Sequence, residues 1–134
     1  MAAITVTPAV VNPGANAVVQ DRTGGATIVR GKSVYRDSAD NEMKLADADS
    51  SMAGLEVGIA VTDGADGTAM RVQFDGDLTI DGLTVGQVYC VGLTAGDIVP
   101  YSDLGSGDYP VILGVGTTTT NLRMRVINPG IAKP

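Results

Sequence analysis

The sequence predicts an all-β fold: a small barrel or sandwich built from two duplicated strand units, preceded by an extended N-terminal arm. Three observations lead there. Apolar residues recur with a period of two in short runs, which places alternate side chains on opposite faces of a strand. Those runs are separated by turn-forming clusters, with 18 glycines among 134 residues. The chain also matches itself without a gap at an offset of 54 residues, so that Val34 falls on Val88.

Taken in order, residues 1–25 differ from the rest. Ile4-Thr5-Val6, Val10-Val11 and Val18-Val19 are extended pieces broken by Pro8, Pro13-Gly14 and Gly24-Gly25. Proline removes a ladder donor and blocks helix, so this stretch reads as an extended arm, partly mobile in the isolated protein. Residues 26–134 read as a single β-domain. Met43 and Leu45 flank Lys44; Leu55, Val57, Ile59 and Val61 form one inward row, and Met70, Val72 and Phe74 another. Leu78 and Ile80 flank Thr79, then Val111, Leu113 and Val115 and finally Leu122, Met124 and Val126 complete the set. The connections read as turns at Asp63 to Gly67, Asp75-Gly76, Asp81-Gly82, Gly105-Ser106-Gly107 and Thr117 to Asn121. Residues 46–53 are the best helical candidate, a turn or two at most.

The repeat covers residues 33–76 against 87–130. Val34-Tyr35 falls on Val88-Tyr89, Asp49 on Asp103, Val57 on Val111, Val61 on Val115, Met70-Arg71-Val72 on Met124-Arg125-Val126 and Gly76 on Gly130. An outward arginine within the match is hard to obtain by convergence, because outward positions carry no core constraint. A unit of a few strands cannot bury its apolar face alone, so the two copies are expected to close on each other.

Composition restricts the chemistry. With no His and one Cys, Cys90, the chain has neither an internal disulfide nor a Ser-His or Cys-His pair nor a conventional zinc set. The net charge of -6 disfavours nucleic acid as a partner. No apolar run approaches the ~20 residues of a membrane-spanning helix, and no signal-peptide pattern opens the chain; maturation in a cytoplasm is expected. Asp63 and Asp66 lack calcium-loop spacing and its terminal Glu, and read as a hairpin turn. Asp47 and Asp49 read as a turn or cap. Arg71, Arg123 and Arg125 lack flanking aromatics for base stacking and read as a solvated face or subunit ion pairs. Cys90 reads as a packed thiol. No cofactor and no catalytic or metal-binding residue is expected.

The order of several turn and strand words resembles phage capsid cement, or head decoration, proteins. The words are Gly31-Lys32-Ser33-Val34-Tyr35, Met43-Lys44-Leu45-Ala46-Asp47-Ala48-Asp49, Glu56-Val57-Gly58-Ile59-Ala60, Leu83-Thr84-Val85-Gly86-Gln87-Val88-Tyr89, Leu93 to Ile98, Asp103 to Tyr109 and Val111-Ile112-Leu113-Gly114. They span roughly residues 25–130. The resemblance implies a β-tulip-like or small-barrel body, a homotrimer on the outer surface of the virion capsid, and the major capsid protein as partner. It also implies that the arm pairs with capsid strands, which makes Ile4, Thr5, Val6, Val10 and Val11 the candidate capsid-contact residues. Backbone bonds at about 1 kcal/mol each, with buried Val and Ile at about 1.5–3 kcal/mol each, would offset the ordering of such an arm. The alternative is a glycan- or receptor-binding β-module of a tail fibre or surface protein, for which Tyr101 and Tyr109 are the aromatics near loops.

Overall fold

The computed structural model describes residues 3–49, 52 and 54–134. Ten strands form one antiparallel sheet: β1 (Asn12–Pro13), β2 (Val18–Thr23), β3 (Ser33–Arg36), β4 (Met43–Leu45), β5 (Val57–Ala60), β6 (Ala69–Thr79), β7 (Val88–Val91), β8 (Ile98–Pro100), β9 (Ile112–Thr118) and β10 (Asn121–Ile127). Two single 3-10 turns, Pro8–Val10 and Tyr101–Asp103, complete the elements. The all-β reading holds. Of the helical candidate at 46–53, residues 46–49 and 52 are not helical, and 50, 51 and 53 lie outside the described residues.

β6 organises the sheet. β1 and β10 both pair with Leu78 and Thr79, so they lie on opposite edges of it; β2 and β5 do the same around Val72 and Gln73. One edge of β6 therefore carries β1 and β2 in succession, and the other carries β5 and then β10. Two wings grow from that second edge, β5-β3-β4 and β10-β9-β7-β8. The order β4-β3-β5-β6 is mirrored by β8-β7-β9-β10, the same four-strand plan twice about the β6–β10 pair.

The wings curl toward each other as a half-barrel, and backbone bonds tie their far ends: Ser33 N–H to the Gly96 carbonyl (2.9 Å), Gly96 N–H to Ala46 (2.8 Å) and Ala48 N–H to Gly92 (2.8 Å). The Ser33 hydroxyl, fully buried, donates to the Asp97 carbonyl at 3.0 Å, which satisfies it as burial requires. Both wings share one core: Val57, Ile59 and Val61 meet Val111, Leu113, Leu122, Met124 and Tyr89. Smaller clusters back each wing, Val34, Met43, Ala60, Met70 and Val72 with Ile28 behind the first, and Cys90, Val99, Ala48 and Leu104 behind the second.

Four sequence expectations are corrected. The stretch 1–25 is not a free arm over its described length: Val11 is fully buried and β2 runs the length of the N-terminal half of β6. The prolines punctuate this stretch without detaching it, because a long central strand leaves an edge that some segment must pair. Asp75-Gly76 is not a turn; β6 passes through it as one 11-residue strand. Gly76, at φ +86°, switches the strand's faces, so that Val72 joins the cluster behind the first wing and Leu78 the shared core. Val115 is not inward but 38% exposed; the pairing of β9 with β7 slips between Ile112 and Gly114, opposite Tyr89 and Cys90, so the alternation does not carry through from Leu113.

The fourth concerns the repeat register. The 54-residue offset keeps side-chain faces at three pairs of positions from two strands of each unit: Tyr35 with Tyr89, Val57 with Val111 and Ile59 with Leu113 all touch the shared core. It fails at Val61, buried in the shared core where Val115 is exposed, and again in the last strand, where Met70 backs the first wing while Met124 enters the shared core. The cause of the latter is the preceding connection, 61–68 in the first unit but only 119–120 in the second.

Candidate functional surface: the N-terminal segment

Residues 3–16 cross the body as a strap. Ile4 N–H donates to the Ile98 carbonyl at 3.0 Å, which covers the β8 edge. Thr7 N–H donates to Asp81 Oδ1 at 2.8 Å, and Arg30 Nε donates to the Pro8 carbonyl at 2.8 Å. The 3-10 turn then brings Val11 into the shared core, β1 pairs with β6, and Gly14 and Asp77 bond across at 2.8 Å.

Glycines form the bed. A Cβ on Gly31 would stand 2.7 Å from Val6 Cγ1, and one on Gly82 would stand 2.7 Å from the Thr5 carbonyl oxygen. Both glycines hold positive φ, +98° and +82°, where any side chain is strained as well as obstructed. Concavities flank the strap's first residues on both sides, one of about 420 Å³ beside Thr5, Gly82, Gln87 and Tyr89 and one of about 70 Å³ beside Val6, Val29 and Gly31.

The five residues singled out from sequence therefore lie in one segment but in three settings. Ile4, Val6 and Val10 are half-buried, Thr5 is exposed, and Val11 is fully buried and turned into the protein's own core. The residues that hold them, Asp81, Arg30, Gly31 and Gly82, were not legible as partners. Asp81-Gly82 reads locally as a turn, and its contact to Thr7 spans 74 positions.

The remaining sequence candidates are structural. Asp63 accepts the Arg30 N–H at 2.9 Å, and Asp47 accepts the Asp49 N–H at 3.0 Å. Among the described residues no three His, Cys, Asp or Glu side chains converge as a metal set. Arg71 pairs with Asp21 at 3.4 Å and Arg123 with Asp77 at 3.3 Å, both across neighbouring strands, while Arg125 stands opposite Asp75. Such exposed pairs contribute little stability. Lys133 lies over the Tyr101 ring at 4.3 Å, covering one face of an aromatic that a sugar would need. Among the described residues no helix is long and apolar enough to cross a membrane.

Cys90 is fully buried, and burial pushes its thiol up to about 12, against a smaller opposing pull from Lys133. The thiolate is the reactive form. Cys90 will therefore resist a thiol reagent in the native protein and react fully once denatured; labelling of the native protein within seconds at pH 8 would contradict this burial.

No protein-family model, curated protein or solved structure matches the chain.

Proposed function

We propose that the protein is a non-catalytic structural component of a phage virion, a capsid cement that binds the outside of the head as a homotrimer and staples neighbouring major capsid protein subunits. The observation that carries this reading is the strap: an N-terminal segment with apolar Ile4, Val6 and Val10, exposed at Thr5 and Thr7 to Ala9, lying on the outside of a β body. The ordered sequence words quoted above support it further. Adding a strand to a partner's sheet edge gains main-chain bonds together with pockets for alternate side chains. Identical contacts repeated on a lattice multiply, because one engaged contact raises the effective concentration of the next.

The test uses purified protein and expanded empty heads of its own phage. The protein is expected to bind them stoichiometrically and to raise their disruption temperature. Removal of residues 1–10 is expected to leave the body folded, since β1 and Val11 remain, and to weaken head binding at least about tenfold, the loss of roughly one or two buried apolar side chains. Failure to bind such heads would end the proposal, and normal decoration by the truncated protein would end the role of the strap.

A further inference from the structure

We infer that residues 3–10 are a self-latched strap, held closed on the protein's own body by Asp81 and hinged at Val11. This rests on the capsid reading only for its use, since the latch itself is a property of the isolated chain.

The argument starts from an asymmetry along the segment. From Val11 onward the chain is committed: Val11 is fully buried, β1 and β2 pair along β6, and Gly14 and Asp77 are bonded backbone to backbone. Before Val11 none of residues 3–10 is fully buried, and Thr5, Thr7, Pro8 and Ala9 are exposed. Main-chain pairing to the body there is the Ile4–Ile98 bond, and the other anchors are side chains, Asp81 on Thr7 and Arg30 on Pro8. A segment held by few backbone bonds and little burial opens locally at small cost.

Asp81 stands at the midpoint of that segment, at the N-terminal end of the 3-10 turn, where a carboxylate meets a free N–H. The Thr7 hydroxyl and then its N–H hold the Asp81 carboxyl below its ordinary value, as a bond to the charged form should. A charge-assisted bond is the strong kind. The glycine bed has no side chain that interlocks with the strap, so besides the Asp81 latch it is held by the Ile4–Ile98 and Arg30–Pro8 bonds and by the partly buried Ile4 and Val6.

Closed, the strap covers the β8 edge and keeps Ile4 and Val6 packed on the body; open, it presents Ile4 and Val6 for pairing elsewhere. A partner must then outcompete the latch. Free copies are thereby kept from pairing strap to edge, a hazard of uncovered strands.

Residue-resolved amide exchange on the isolated protein tests this. The reporter is the Ile4 amide, whose own acceptor at Ile98 no variant touches. In Asp81→Ala the Ile4 amide is expected to exchange about five- to tenfold faster, with Gly14 and Asp77 unchanged. Thr7→Pro, which removes both donors without altering the body, is expected to do the same. Faster exchange at Thr7 alone, or an equal rise at Gly14 and Asp77, would overturn the latch. Because no capsid enters the measurement, a chain that shows the expected exchange yet binds no heads keeps the latch and loses the cement reading.

Discussion

Gly76→Val will destabilise the protein by about 3 kcal/mol or more and will strip the N-terminal strands from β6. Two effects combine at this position. The backbone is at φ +86°, where a β-branched residue is a steric outlier. A Cβ would also overlap the Asn16 carbonyl oxygen and come 2.7 Å from the Ala17 Cα, both backbone atoms that cannot rotate away. The bend is braced from within, because Gln73 Nε2 donates to the carbonyls of Asp75 (3.1 Å) and Asp77 (2.8 Å) on either side of Gly76. Gln73 is itself fully buried, so a shift that broke these two bonds would leave a buried donor unpaired at further cost. Incompatible substitutions at positive φ cost more than the ordinary surface change. Denaturant unfolding should show the loss, and amide exchange should show it first at Gly14 and along β2. A midpoint within about 0.5 kcal/mol of the parent would mean that the bend is not an anchor.

The same residue explains what was legible in the sequence. Alternation found the strands, since Val57, Ile59 and Val61 face the shared core as their spacing requires. Asp-Gly is ordinarily a hairpin signal, yet here the left-handed glycine bends a strand that continues. What distinguishes the cases is Asn16, sixty positions away, whose backbone lies against Gly76. Val115 fails for a related reason: alternation assumes a regular pleat, and the β7–β9 pairing slips between Ile112 and Gly114. The N-terminal strap was visible as a distinct segment because prolines punctuate it. Its docking was not, because a bed made of Gly31 and Gly82 and a latch made of Asp81 are long-range facts with only local turn signatures. The repeat was legible as an order of strands and blurred as a register, since one connection differs in length between the units.

Ile59→Ala and Leu113→Ala will each cost about 2–5 kcal/mol and will lower one and the same unfolding transition. Both side chains are fully buried in the shared core, one from each unit, at equivalent positions of the repeat. Truncating a buried Leu or Ile removes its transfer free energy and leaves a cavity, and the cost is set by how far the site can collapse. Collapse is limited here, because the β6–β10 pairing and the Ser33–Gly96 and Gly96–Ala46 bonds hold the wings at both ends. The face that each unit turns to the shared core does not close on itself; the first needs Leu113, Leu122 and Met124, and the second needs Val57, Ile59 and Val61. Damage on either side must therefore be felt on both. Circular dichroism and residue-level exchange should report coincident loss, with protection in β5 and β9 falling by the same increment in either variant. If Ile59→Ala released β3 to β6 while β7 to β10 stayed protected, the two units would be separable bodies. The reading of one rigid domain with a shared interior would then be wrong.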